Sequence, residues 1–524
     1  MSVSNNKIFD IPSFQRQVQT CGFTSFWNQF IQTYASKLRP DLKIKPSNLD
    51  IDTTKECFSL DNIGELYEIA LERTNKISKK ELGQYFTPQD TANFMARKLL
   101  DLLSADDNIS DVCCGTGNLI VALLKQMQKK QALNLILNRQ IWLYDLDESA
   151  LKLAVMKLAI LFVPKGDIDT YNNFASYVNC VTGNFLCDAI TLPEKCAVIS
   201  NPPYGKLLHG TSLWLDCETY STNEMFAVFM EKIAKQSKIS VIISPQSFLG
   251  SAKFTTLRKV LSKFGGTVYA FDNVPASIFN GKKHGIFNTN SANSVRAAIT
   301  VIDNKGKGFR TTPLIRFKNC ERDVLFCNLD KFVGNVIYNN ATAWLKVPKP
   351  LEILVQRLND SKYRVSDLIT KTPNSYKLTV PSTPRYFVTA SAKDLNRGGA
   401  IEIYARDQES FDRLYVLLNS TISYLWWRIC DGGITITKDT LLNIPVPDIK
   451  ANLDTIVQEG RDLETSCLKI KINAGKHNEN IKFPDVYRKR LNTCMLETLN
   501  IMEAGNALYA LHENALKLVL ESWT

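Results

Sequence analysis

The chain has 524 residues, 45% of them hydrophobic, which is enough for more than one core because single cores stop growing at roughly 250 to 300 residues. Its 63 Lys+Arg against 52 Asp+Glu give a formal charge of +11, a balance that suits a polyanionic partner but that solubility alone also explains. No stretch is apolar for long enough to cross a bilayer, and the 13 cysteines contain no C-x-x-C pair, so they read as thiols of a reducing compartment.

Residues 1–80 carry apolar side chains at helical spacing, among them Leu60, Ile63, Leu66, Tyr67 and Ala70, and predict a helical N-terminal lobe that names no function. The opening segment MSVSNNKIFDIPSFQRQ lacks a charged region followed by an apolar one, so no leader is expected. Over residues 81–305 the short apolar runs NISDVCC, QIWLYD, NCVTGNF, CAVISN, ISVIIS, TVYAFD and AAITVID alternate with amphipathic helices. That alternation predicts an α/β domain built on a mainly parallel, doubly wound sheet. Residues 306–346 are polar and read as a linker. Residues 347–450 mix strand-like runs with the helix FDRLYVLLNSTISYLWW and read as α+β. Residues 451–524 read as a helical C-terminal segment interrupted by the polar NAGKHNENIK.

Open α/β sheets bind ligands at the carboxyl ends of their strands, so the residue after each run carries the chemistry. The first run leads into Asp111-Val-Cys-Cys-Gly115-Thr116-Gly117-Asn118, whose glycines permit a tight turn and close approach of a ligand to the backbone. An ordinary glycine turn explains that loop equally well on its own, and neither G-x-G-x-x-G nor G-K-[ST] is present. The second run ends in Tyr144-Asp145-Leu146-Asp147. Asp145 is placed to accept the hydroxyls of a ribose, while Asp147 could equally cap the next helix. The third ends in Gly183-Asn184-Phe185, where Asn184 could bond an adenine edge and Phe185 stack on its ring, or serve as a turn and a core residue. Upstream, Thr87 opens a helix and could offer its hydroxyl to a carboxylate, or only cap the helix.

The fourth run ends in Asn201-Pro202-Pro203-Tyr204. Two prolines at a strand end fix a carbonyl that no regular ladder would use. An exocyclic aromatic amine is a poor nucleophile, and two acceptors aimed at its N–H groups would favour the tetrahedral geometry of the transition state. The Asn201 side chain and the Pro202 carbonyl are those acceptors, and Tyr204 offers a face on which a flipped base could stack.

These motifs resemble the gamma-class N6-adenine DNA methyltransferases over about residues 80–305. The resemblance implies a Rossmann-like domain that uses S-adenosyl-L-methionine as cofactor and needs no metal. By that similarity GQYFTP, with Tyr85, Thr87 and Pro88, holds the methionine end, and DVCCGTGN, from Asp111 to Asn118, is the cofactor loop. YDLD supplies the ribose ligand Asp145, and NPPY is catalytic. The family commonly has an acidic residue where Asn184 stands. Phe226, in Asn223-Glu-Met-Phe226, would line the adenine pocket or pack in the core. Phe279 would contact the flipped base ahead of Phe287. Residues 206–223 read as a mobile loop closing on DNA; His209 and His284 do no chemistry.

The resemblance also makes residues 347–450 the target recognition domain, with Arg364, Lys371, Tyr376, Lys377, Arg385, Tyr386, Lys393 and Arg397 as a basic, aromatic field and Trp426-Trp427 as core. The expected partner is double-stranded DNA, bound by a monomer in a prokaryotic cytosol or nucleoid, with any restriction endonuclease a separate protein. A modification subunit of a multisubunit restriction system and a glutamine-amide protein methyltransferase are the alternatives; Tyr204 favours the self-sufficient enzyme over the first, because such subunits usually carry Phe there.

Overall fold

The computed structural model describes residues 7–74, 86–187, 189–207, 214, 216–273, 275–280, 295–304, 306–384, 387–431, 433, 435–473 and 476–511. The N-terminal lobe is built from α1 (Ile11–Cys21), α2 (Phe23–Leu38) and α3 (Ile63–Thr74). Asp10 and Ser13 cap α1 reciprocally, satisfying amides that the first turn leaves without partners. Phe14, Phe26, Trp27 and Phe30 make edge-to-face contacts and Tyr34 stacks on Phe30 around one apolar centre, which closes over Ala150, Leu153 and Met156 of the neighbouring domain.

That domain begins with α4 (Gln89–Leu100) and carries an eight-stranded sheet among the described residues. Its strands are β1 (Asn108–Val112), β2 (Ile141–Asp145), β3 (Asn179–Thr182), β4 (Cys196–Ser200), β5 (Ile239–Pro245), β6 (Gly265–Ala270), β7 (Ala297–Asp303) and β8 (Gly308–Thr311). They lie in the order β8-β6-β7-β5-β4-β1-β2-β3, and β7 alone of these runs antiparallel to its neighbours. The order reverses between β1 and β4, the place where doubly wound sheets open a crevice for ligands. β4 is buried at every residue, as the apolar run CAVIS requires of a central strand covered on both faces. α5 (Asn118–Lys125), α6 (Lys129–Leu137), α7 (Glu148–Phe162), α8 (Ile168–Tyr177), α9 (Met225–Gln236) and α10 (Thr255–Leu261) supply the covering layers.

Residues 306–346, expected to be a linker, are part of this domain's packing. β8 extends the sheet edge, Phe309 stacks on Trp344 at 4.8 Å, and Leu325, Phe326 and Leu329 join the main core. The polar residues that suggested a linker lie between these apolar anchors.

Residues 347–508 share a separate apolar core. It contains a three-stranded antiparallel sheet (Ile369–Thr370, Ala400–Ala405, Lys377–Pro381) and the helices Gln408–Asn419 and Thr421–Cys430. Trp426 and Trp427 are buried there. The segment read as interrupted helix after residue 451 has helices at Asp454–Ser466 and Asp485–Thr498, but between them it holds a hairpin, Leu468–Asn473 against Lys476–Ile481. The run LKIKIN alternates with period two, which is strand spacing, and part of the polar interruption forms the returning strand. No helix among the described residues is long and apolar enough to cross a membrane.

Candidate active site

The crevice at the carboxyl ends of β1, β2, β3 and β4 opens into a cavity of about 280 Å³. Thr87, Gly115, Asn118, Asp145, Asn184, Phe185, Asn201 and Pro203 line it, as do Tyr67, Phe86, Leu146, Met225 and Phe229. Among the described residues its charged lining side chains are Glu68, Asp145 and Asp147, all acidic. An acidic, half-apolar wall suits a nucleoside bearing cationic groups and opposes a polyphosphate.

The loop after β1 places Cys113, Gly115 and Gly117 at positive φ and starts α5 immediately afterwards. A Cβ on Gly115 would meet nothing within 4 Å, so it would project into open space beside the pocket. A Cβ on Gly117 would lie 2.8 Å from the Ala154 Cβ of α7, so close packing demands that glycine. The Gly115 amide donates to Asp145 Oδ2 at 2.8 Å and the Asp147 amide to Oδ1 at 2.9 Å. Those bonds hold the Asp145 carboxylate at the crevice while burial raises its pKa.

Asp111 lies below the pocket, fully buried. Its Oδ2 accepts from the Ile120 amide at 3.2 Å, and burial pushes its carboxyl well above the usual range. Lys157, also buried, donates to the Thr116 carbonyl at 3.1 Å from beneath the loop. These residues brace the loop from the strand and helix behind it.

Thr87 joins the two halves of the site. Its carbonyl accepts from Asn118 Nδ2 at 2.6 Å and its hydroxyl from Asn201 Nδ2 at 3.0 Å. Pro88 caps α4 next to it but does not line the cavity, and Tyr85 lies outside the described residues. Asn184 Oδ1 accepts from the Leu186 amide at 3.0 Å, which fixes the turn at the end of β3. Phe185 stacks on Phe229 at 5.8 Å, and Lys232 pins the same turn by donating to the Phe185, Cys187 and Ile190 carbonyls.

Phe226, expected as a pocket or core residue, is buried against Phe254 and does not line the cavity. Phe229, four residues after the lining Met225, takes that wall, because residues at i and i+4 lie on one face. The Phe in Asn223-Glu-Met-Phe drew attention, and only the helix phase distinguishes the two.

Tyr204 meets the Phe279 ring at 6.0 Å and Phe226 at 6.5 Å, both edge-on. Tyr204 and Phe279 therefore come together at the mouth of the catalytic turn, but in contact and not as the two parallel faces of a clamp. Phe287, His209 and His284 lie outside the described residues. Of the loop expected to be mobile, the part around Thr219 is held down. The buried Glu231 carboxylate accepts from the Glu218 and Thr219 amides and from the Thr219 hydroxyl at 2.6–2.9 Å. Residues 208–213 and 215 lie outside the described residues.

The N-terminal lobe, which the sequence left without a role, forms one wall. Tyr67 of α3 donates to Asp147 Oδ2 at 2.5 Å, and Gly64 passes so close to Thr116 that a Cβ would lie 2.6 Å from its hydroxyl. No sequence motif marks these residues; their signal is only the helical phase of α3.

A sheet of this order, with a glycine loop after its first strand and an acidic residue after its second, is a Rossmann-like fold whose crevice suits a nucleoside. The chain belongs to the N-6 DNA Methylase family, whose sequence profile matches residues 58–321. It is 28% identical over 170 residues to a type I restriction enzyme MpnII methylase subunit of Mycoplasma pneumoniae, a match covering 31% of this chain and 30% of that protein. It is 27% identical over 210 residues to the type II methyltransferase M.VspI of a Vibrio species, covering 38% and 45%. The matches thus span less than half the length of either relative. A modification subunit of a putative type I restriction enzyme from Vibrio vulnificus shares 15% identity, with a TM-score of 0.38 over 56% of this chain and 67% of that one.

Proposed function

We propose that this chain is a gamma-class enzyme that methylates the N6 amine of adenine in double-stranded DNA. The observation that carries the reading is the Asn201–Thr87 bond, which ties the catalytic turn to the cofactor crevice. S-adenosylmethionine, when bound, supplies a methyl group on a sulfonium. Asp145 would hold its ribose, the Asn184–Phe185 turn and Phe229 its adenine, and Thr87 its methionine carboxylate. The open space at Gly115 and the acidic side chains among the described lining residues fit that group.

Because Asn201 Nδ2 points to Thr87, the amide is oriented with Oδ1 as the acceptor directed elsewhere, and Pro202 and Pro203 stiffen the carbonyl beside it. Those two acceptors would take the N–H groups of the target amine and draw its lone pair out of conjugation with the ring. The sulfonium would supply its methyl group to that nitrogen and be left as a neutral thioether. The methylated amine then sheds one proton to water, so no dedicated base is required. Tyr204 would stack on the flipped base, and Phe279 would turn aside from its edge contact to admit it.

Residues 347–450 would read the sequence, with the chain acting as a monomer and any endonuclease being a separate protein. The Mycoplasma relative is named a methylase subunit, which favours as second reading a modification subunit that borrows DNA recognition from a partner. The test incubates the purified chain, Asn201→Ala and Tyr204→Ala with unmethylated genomic DNA and methyl-labelled S-adenosylmethionine. Label in N6-methyladenine, lost in both variants, is the expected result. Cofactor binding without label would shift the reading to the subunit, and label in protein glutamine would overturn both.

A further inference from the structure

Asp272 follows β6 on the face of the sheet that carries the catalytic turn, and its side chain is fully buried. Three arginines converge on it. Arg296 Nε bonds Oδ1 at 2.9 Å, Arg316 Nε bonds Oδ2 at 2.7 Å, and both Nη atoms of Arg428 lie 3.3 Å from Oδ2. Arg296 and Arg316 belong to the catalytic domain, whereas Arg428 comes from the helix Thr421–Cys430 of the C-terminal core. The cluster therefore lies on the seam between the part that would do the chemistry and the part that would read DNA.

Its charge does not balance locally. One carboxylate faces three guanidiniums, whose side chains keep only 11–17% of their surface exposed. Buried Lys346 adds another cation at the same seam, donating to the Cys430 carbonyl at 3.0 Å. Asp431, at the end of the Arg428 helix, lies beside Lys346 and offsets that charge. Among the described residues two guanidinium charges remain without a second carboxylate, in surroundings that penalise unpaired ions, and the Tyr424 hydroxyl beside Arg316 adds only a hydrogen bond. A hydrophobic seam or one matched ion pair would lock the lobes at less cost, so the surplus calls for an anion from outside.

The position favours DNA as its source. β6 is three strand positions from β4, so at ~4.8 Å per strand the cluster lies roughly 14 Å from Asn201. That corresponds to about four steps of ~3.4 Å along a duplex strand. At the end of intervening β5, the Gln246 amide donates to the Arg296 carbonyl at 2.9 Å, and its buried Oε1 has no hydrogen-bond partner among the described residues. Polar groups thus extend from the catalytic turn to the cluster.

We propose that Arg296, Arg316 and Arg428 form a binding site for a DNA backbone phosphate near the target adenine, engaging both lobes with one phosphodiester. This rests on the reading of the chain as a DNA methyltransferase. Arginine suits the task because its planar donors can bind a carboxylate and a phosphate oxygen along different edges. Occupancy would couple the seam to DNA without reading a base.

The test titrates a labelled 30-base-pair duplex with the full chain at several KCl concentrations, comparing the wild type with Arg296→Gln and Arg428→Gln. Each variant should lower the slope of log affinity against log salt by about one, with S-adenosylmethionine affinity unchanged. Should a variant fail to fold, phenylglyoxal modification of the wild type, mapped by peptide mass, supplies the answer. Duplex DNA should protect these three arginines, and inorganic phosphate at matched ionic strength should not. Unchanged slopes, or equal modification with and without DNA, would reduce the cluster to a lock between lobes and leave the methylation reading intact. Protection by inorganic phosphate alone would mean a small-anion site and overturn the DNA assignment. A wild type that methylates no adenine and binds no duplex would overturn the function itself.

Discussion

The Asn201 side-chain amide donates to the Thr87 hydroxyl at 3.0 Å, joining two residues 114 positions apart in sequence and making the orientation of that amide depend on the segment that enters α4. Thr87 is buried at the cavity wall, so little water reaches the bond when the crevice is occupied.

Thr87→Val keeps the shape and removes the acceptor. A buried donor left without a partner costs about 1–3 kcal/mol, so the methylation rate should fall about 5- to 150-fold, and Thr87→Ser should restore most of it. The Asn118 bond is to the Thr87 carbonyl and survives the change. Single-turnover rates and cofactor titrations separate the outcomes. A defect confined to the cofactor KM would place Thr87 on the methionine end alone and end its role in orienting Asn201.

The two loop glycines should fail differently. Gly117→Ala forces a Cβ to within 2.8 Å of the Ala154 Cβ at φ 75°, so its first effect should be a lower unfolding temperature. Gly115→Ala, at φ 50° with open space around it, should remain folded with only about 1–2 kcal/mol of backbone strain while cofactor affinity drops about tenfold. Thermal unfolding beside calorimetric titration checks both. The reverse pattern would mean that Gly115 packs against protein and Gly117 faces ligand.

The alternation of apolar runs located the strands of the sheet, because central parallel strands are apolar throughout and their ends must carry the polar chemistry. Asp145, Asn184 and Asn201 were legible for that reason and line one cavity. Tyr67 and Phe229 were not legible, since each belongs to an ordinary amphipathic helix and only the packing angle of that helix turns the side chain to the crevice. Residues 306–346 misled because composition averages over a stretch, whereas β8 needs only Phe309 buried and a free edge on β6 to pair with. The Asp272 cluster joins residues 24 to 156 positions apart, a separation that no local pattern encodes.

Lys157 gives the pH dependence of the brace under the cofactor loop. Burial lowers its pKa from 10.5 to about 8. Below pH 8 the amine is charged in both folded and unfolded chains, and the folded state bears the full cost of burying it. Between about pH 8 and 10.5 the unfolded chain binds more protons, so this lysine makes stability rise with pH. The gain is on the order of 3 kcal/mol across the window. Buried tyrosines such as Tyr67, with raised pKa values, act oppositely above pH 10, so the quantity to read is the difference between wild type and Lys157→Met in urea unfolding. That difference should grow in favour of the wild type from pH 8 to 10.5; a flat difference would mean that the amine is solvated in the folded chain.

Arg322 holds the turn that carries Phe279. From α11 (Arg322–Asn328), its guanidinium bonds both carboxylate oxygens of Asp90 at 2.5 and 2.9 Å and donates to the Ser277 and Ile278 carbonyls at 3.1 and 2.9 Å. Thr91, beside Asp90 in α4, donates to the same Ile278 carbonyl. Arg322→Met removes one member of a desolvated pair and should cost about 3–5 kcal/mol of stability. The double variant Asp90→Leu with Arg322→Met should recover much of that, because no lone charge remains buried. It should not recover DNA methylation, since the Ser277 carbonyl loses its Arg322 donor and the Ile278 carbonyl keeps only the Thr91 hydroxyl to fix Phe279 beside Tyr204. Unfolding free energy and kcat/KM for DNA, measured on both variants, separate stability from positioning. A stable double variant with wild-type kcat/KM would mean that the Phe279 turn holds its place without Arg322.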